Sequence, residues 1–147
     1  MIRIYLAADS SCQAKMRELR NHLKLYDIHV TSRWLDVDLE GDKGKTYTPT
    51  ELQEWAIKDL DDVLGADLLV SYNPIEKQKQ GTGGRHVEFG YAIAKGMPII
   101  YCGEKLENIF HYLPHVKSVI DPRDCSSFYI FAECLGAVIN SVFMSTR

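Results

Sequence analysis

Residues 67–102 read DLLVSYNPIEKQKQGTGGRHVEFGYAIAKGMPIIYC, and this stretch decides the fold. Its opening, 67–72, is a nearly continuous apolar run, the pattern of a strand buried on both faces. A polar loop over 73–82 follows. Gly83 and Gly84 then open a helix predicted from about Arg85 to Lys95 and closed by Gly96, a residue type that ends helices readily. A second apolar run, 98–102, completes a strand–helix–strand unit, and parallel strands need a crossover of this kind.

The flanking segments repeat the pattern. Residues 2–7 (IRIYLA) read as a buried strand, after which Asp9, Ser10 and Ser11 offer helix-capping side chains. Cys12, Met16, Leu19 and Leu23 recur at helical spacing, which predicts an amphipathic helix to about Leu25. A short strand is expected at 29–32. Segment 35–48 is acidic, rich in glycine and lysine, and aperiodic; it reads as a loop. Thr48 or Thr50 caps the next helix, with Pro49 in its first turn, and Gly65 stops it after about Leu64. Toward the end, 105–112 reads as a short helix, 117–120 as a short strand and 124–143 as a final helix. Strands alternating with helices predict an α/β fold: a small doubly wound parallel sheet, flavodoxin-like or Rossmann-like, in three layers. The expectation is one domain spanning 1–147.

Composition narrows the function. At 147 residues the chain is long enough to bury roughly 68–70% of its unfolded surface without staples. A net charge of -3 gives no footprint for a polyanion, so a nucleic acid polymer is not an expected partner. Cys12, Cys102, Cys125 and Cys134 have no CxxC spacing and no matching histidines, which predicts reduced thiols and no metal site. No apolar stretch approaches the roughly 18 residues of a membrane span, and the start of the chain lacks a leader pattern. A cytoplasmic protein without a cofactor is expected.

In a doubly wound sheet, ligands sit beyond the carboxyl ends of the strands, where the strand order reverses. Glycines entering a helix there leave N–H groups free to approach an anion or a sugar, which makes Gly83 and Gly84 candidates for binding. Glu88 follows them closely. Near a helix start a carboxylate is kept ionised by the helix dipole, as a nucleophile must be, although acidic residues also favour helix starts for stability alone. Asp59 stands seven residues after Leu52, on the stripe that Leu52, Trp55, Ala56, Leu60 and Val63 present inward. An acid on that stripe is costly unless paired or functional. Asp61 and Asp62 read as solvated. Tyr5 and Ala7 close the first strand, where the tyrosine can hydrogen-bond a carboxylate or a ligand hydroxyl. Arg33 and Trp34 follow the second strand and could meet an anion and stack on a base. His86 reads as a surface residue and Asn108 as part of a pocket wall or of a subunit contact.

Together, Ile4-Tyr5-Leu6-Ala7, the block from Asp59-Leu60 to Asp67-Leu68-Leu69-Val70, and Gly83-Gly84-Arg85-His86-Val87-Glu88-Phe89-Gly90-Tyr91-Ala92 resemble the nucleoside 2-deoxyribosyltransferase-like family. That family includes the 2'-deoxynucleoside 5'-monophosphate N-hydrolases. The last block matches the family's Gly-x-x-x-Glu-Leu-Gly-Tyr-Ala signature, with Phe89 in place of leucine. The resemblance implies that Glu88 attacks the anomeric carbon, that Asp59 assists departure of the base and that Tyr5 orients the nucleophile. It also implies that Thr82, a hydroxyl where some transferases carry an acid, helps hold a 5'-phosphate. The implied partners are a small nucleoside or nucleotide and further copies of the chain in a homo-oligomer. Two alternatives stay open: a catalytically silent nucleotide-binding sensor domain, and a glycosidase that cleaves NAD by the same glutamate chemistry.

Overall fold

The computed structural model describes residues 1–39, 41–42, 44–74, 83–103, 109–118 and 120–145. Among them, β1 (Ile2–Ala7), β2 (Ile28–Val30), β3 (Leu68–Asn73), β4 (Ile99–Gly103) and β5 (Val116–Ser118) form one sheet, with every pairing parallel. Their order is β2-β1-β3-β4-β5. Helices α1 (Gln13–Leu23), α2 (Pro49–Leu64), α3 (Gly84–Ala94) and α4 (Phe128–Ser145) cover its two faces. This is the doubly wound α/β sandwich the alternating pattern predicts.

The two-residue period of a strand sorts the core. Ile4, Leu6, Val70 and Ile100 point to one face, against Met16 and Leu19 of α1 and Phe131, Leu135 and Ile139 of α4. Tyr5, Leu69, Ile99 and Tyr101 point to the other, against Val63 of α2 and Phe89 and Ala92 of α3. Tyr5 therefore lies on the α2–α3 side because of its position in β1. From β1 the chain turns outward to β2 and then returns to the opposite side as β3. The carboxyl ends of β1 and β3 flank the resulting crevice, so the topology places a ligand there.

Local chemistry fixes the helices beside this crevice. Thr48 accepts from the Glu51 amide, the Glu51 carboxylate accepts from the Thr48 amide, and Pro49 opens the first turn of α2. Gly83 precedes α3 with φ of 84°, a left-handed backbone that a side chain would strain. At the far end of β4, Gly103 lies so near the Asn73 carbonyl that any Cβ would overlap it.

Several boundaries differ from those predicted. β2 stops at Val30 because Thr31 and Ser32 bend back to β1: the Thr31 amide donates to Ile4 O and the Leu6 amide to Ser32 Oγ. The 35–48 loop is partly ordered by a short 3-10 helix, Arg33–Asp36, which α1 fastens. Gln13 donates to the carbonyls of Trp34 and Val37, and Arg17 to those of Leu35 and Val37. The short strand comes at 116–118 rather than 117–120. The last helix starts at Phe128, after a separate turn, Pro122–Asp124, capped by Asp121. Of the helix predicted at 105–112, the structure forms a single 3-10 turn, Ile109–Tyr112, and the rest falls outside the described residues.

Candidate active site

A cavity of about 460 Å³ opens between α2 and α3 at the carboxyl end of β1. Four parts of the chain wall it. Ala8, Asp9 and Ser10 continue β1; Trp34 and Leu39 come from the segment after β2; Trp55, Asp59 and Leu60 come from α2; and Gly83, Gly84, Arg85 and Glu88 come from the start of α3. The cavity wall therefore combines the carboxyl groups of Asp9, Asp59 and Glu88 with two indoles.

Glu88 is the buried centre of this arrangement, 9% exposed. The Tyr5 hydroxyl, wholly buried on β1, donates to Glu88 Oε2. That bond favours the ionised carboxylate, but removal from water outweighs it and pushes Glu88 up to about 8, with Asp59 and Asp62 adding repulsion. The expectation that the helix dipole keeps Glu88 ionised is thus corrected. Glu88 is the fifth residue of α3, and the dipole's influence fades beyond the first turn. Burial and the charges of Glu88 and Asp59 raise the Tyr5 hydroxyl far above its ordinary value, so it stays a donor.

Asp59 lies in the same cavity wall, half-buried. Burial first, then the neighbouring Asp62, raise it to about 6, against a lowering by Arg33. Two carboxyl groups in one cavity with displaced and unequal proton affinities can divide the roles of acid and nucleophile.

The other residues singled out in the sequence fall in different places. Trp34 stands in the wall with its indole N–H donating to Leu6 O at 2.9 Å, so its ring is held by β1. Gly83 and Gly84 line the cavity. Ala7 is fully buried against the α2–α3 core, and its neighbour Ala8 is the residue in the wall. Arg33 faces away from the cavity: its amide and Nε donate to the Asp62 carboxylate at 2.9 and 2.8 Å. Asp62 is correspondingly 7% exposed, which corrects its reading as a solvated residue. Asp61 is exposed, as is His86, which stands outside the wall. Thr82 and Asn108 lie outside the described residues.

The inward stripe of α2 is also corrected. Val63 is buried, but Leu52 is 55% exposed, and Trp55 and Leu60 face the cavity rather than the core. The helix meets the sheet with its C-terminal part and leaves a gap under its middle. Sequence reasoning missed three wall residues for that reason or for want of a partner. Trp55 looked like core. Asp9, read only as a cap, accepts from Arg85 Nη1 at 3.3 Å across the cavity rim. Arg85 directly after Gly83-Gly84 was the available signal for a cation at the helix entrance. Its Nε is buried with no hydrogen-bond partner among the described residues.

Among the described residues no cluster of histidine, cysteine and acidic side chains could hold a metal ion. No helix among them is long and apolar enough to cross a membrane. All four cysteines are free, with Cys102 buried and Cys134 exposed.

No family model and no curated protein matches the sequence. Solved structures do match. A CMP N-glycosidase of Clostridium botulinum, BcmB, aligns over 92% of this chain and 98% of its own, with a TM-score of 0.59 and 18% identity. A 2-desoxiribosyltransferase from Leishmania mexicana aligns over 95% of this chain and 98% of its own, with a TM-score of 0.51 and 12% identity. The chain therefore shares the α/β fold of these two proteins over nearly its whole length.

Proposed function

We propose that the chain is an enzyme of this fold family that cleaves the N-glycosidic bond of a 2'-deoxynucleoside or its 5'-monophosphate through a covalent sugar–Glu88 intermediate. The observation that carries this reading is the buried Tyr5–Glu88 hydrogen bond with Asp59 in the wall of the same cavity. The base lies between Trp34 and Trp55, and the sugar carbon that bears it faces Glu88. Asp59 protonates the leaving base while the Glu88 carboxylate captures the oxocarbenium-like carbon, forming an ester. Water or a second base then attacks that carbon, and Asp59 takes up the proton. Gly83 and Gly84, with Arg85 beside them, offer N–H groups to a 5'-phosphate.

Productive attack needs Glu88 ionised and Asp59 protonated. Burial raises both groups, Glu88 to about 8 and Asp59 to about 6, so both exchange protons near neutral pH. The developing positive charge on the sugar and the basic nitrogen of the departing base favour the productive arrangement, with Glu88 ionised and the proton on Asp59.

The reading includes a second copy of the chain over the α2–α3 face. Leu52 and Ile57 of α2 and Val87 of α3 are 55%, 51% and 65% exposed, and Phe110 of the Ile109–Tyr112 turn is 54% exposed. Val87 adjoins Glu88 in sequence, so a copy docked on this face would close the cavity. Light scattering coupled to gel filtration should give twice the 16.7 kDa chain mass or more.

The test of function is a panel of nucleosides, their 5'-monophosphates and NAD, assayed chromatographically with and without an acceptor base. Free base from a deoxynucleoside or deoxynucleotide, lost in Glu88→Ala, supports the reading; exchange of bases would make it a transferase. Nicotinamide released from NAD alone, or ligand binding with no release by the wild type, overturns it in favour of one of the alternatives.

A further inference from the structure

Trp34, one of the two indoles of the cavity wall, is held from the opposite face of the sheet. α1 packs on the α1–α4 face, yet Gln13, Arg17 and Arg20 of that helix reach the segment after β2 that carries Trp34. Spacings of four and three residues place these side chains in one row. Gln13 is 8% exposed. Its amide group donates one hydrogen to Trp34 O at 3.0 Å and the other to Val37 O at 2.8 Å. Arg17 donates through Nε to Leu35 O at 2.7 Å and through Nη2 to Val37 O at 2.9 Å, and Arg20 pairs with Asp36 at 2.7 Å. Val37 O also accepts from the amide of Leu39, another residue of the cavity wall.

The 33–36 turn needs these donors. The last carbonyls of a helical turn have no partner within it, and a buried carbonyl left unpaired is costly. Satisfying them from α1 fixes the main chain of Trp34, while Leu6 O fixes its indole N–H at 2.9 Å. Backbone and ring are thus tied to two different elements, which sets the plane of the ring. With its N–H donated to β1, the indole offers a ligand only its ring surface. Stacking on that surface depends on the tilt and separation of two planes, so it is sensitive to any loosening of the turn.

We infer that Gln13 and Arg17 are positioning residues that set the plane of Trp34 for stacking on the base, from across the sheet. The inference rests on the function proposed above. Neither residue lines the cavity. Their bonds end on residues 34, 35 and 37, whereas Asp59 and Glu88 stand on α2 and α3. The clasp therefore acts on binding and not on bond cleavage. A wall that holds its binding geometry only part of the time weakens apparent affinity by that fraction.

The experiment compares the wild type with Gln13→Met, which keeps the length of the side chain and removes its donors. Its first readout needs neither ligand nor turnover: ¹⁵N relaxation of the indole N–H groups of the chain's 2 tryptophans, assigned with Trp34→Phe. In Gln13→Met the order parameter of the Trp34 indole should fall from about 0.85 to below about 0.6, while that of Trp55 stays within about 0.1 of its wild-type value. Arg17→Met removes the other pair of bonds from a less buried position and gives the same test if Gln13→Met does not fold. The second readout is steady-state kinetics on a deoxynucleoside or deoxynucleotide of the panel that the wild type cleaves. Here KM should rise about three- to tenfold with kcat within about twofold. A Trp34 order parameter that does not move in a folded variant overturns the inference, because a merely stabilising clasp would lower the urea midpoint and leave the native ring in place. So does a loss confined to kcat. Absence of wild-type turnover on every substrate would strike the proposed function instead, and the relaxation data would still decide whether the clasp sets the ring.

Discussion

The two faces of the sheet are built from the same strands and end differently. On the α1–α4 face, Leu6, Met16, Leu19, Phe131, Leu135 and Ile139 are all fully buried and close a continuous apolar layer. On the α2–α3 face, the layer is sealed only near Val63, Leu69, Phe89 and Ile99. Beyond Tyr5 it parts into the cavity, where Glu88 and Asp59 take the places a core would give to leucines. One face supplies stability. The other uses it to hold two carboxyl groups at proton affinities they would not have in water, as burial does to both.

Substitutions can break this division. The largest expected effect is on chemistry. Asp59→Asn should lower kcat by about 10²–10⁴-fold with an ordinary base, and far less with a leaving group that is already cationic, such as 7-methylguanine. Equal losses on both substrates would deny Asp59 its role as acid. On the sealed face, Phe131→Ala should cost about 3–5 kcal/mol in urea unfolding while the folded fraction keeps its kcat. A specific loss of activity there would mean that the two faces are not independent.

The open face should also carry its own pH signature. Glu88 binds its proton more tightly folded, at about 8, than at the 4.5 of a free carboxyl, so it contributes stability that is full below pH 4.5 and is lost as pH rises through 8. Asp59 behaves alike but is exhausted above about 6. Between pH 6 and 8, therefore, wild-type stability should decline relative to Glu88→Gln by roughly 2–3 kcal/mol. Parallel curves for the two proteins would contradict the burial assigned to Glu88. The smallest effect is local: Thr48→Ala removes the cap of α2 and should cost about 1 kcal/mol, leaving the sealed face untouched.

The contrast between the faces also explains what could be read from the sequence. Strands with continuous apolar runs, such as 2–7 and 67–72, and the Thr48-Pro49 helix start were legible because each is specified by adjacent residues. The carboxyl ends of the strands were legible as the place for a ligand, but that β1 and β3 flank it is a property of the assembled strand order. What escaped were side chains whose meaning depends on a distant partner. Asp62 looks solvated until Arg33, far away in sequence, reaches it. Trp55 and Leu60 satisfy a helical stripe whether they face a core or a cavity, and only the stand-off of α2 from the sheet tells the two apart. The proton affinity of Glu88 was misjudged for a related reason. Its place near a helix start is visible in the sequence, whereas its desolvation is a property of the assembled cavity.

The central claim is that Glu88 itself bonds to the sugar. Intact-mass measurement after incubation with a slow 2'-fluoro analogue of the cleaved substrate tests this most directly. The account predicts a wild-type mass raised by one sugar moiety, mapped to the peptide containing Glu88 and missing from Glu88→Gln. An adduct on another residue, or base release by Glu88→Gln at the wild-type rate, would contradict it.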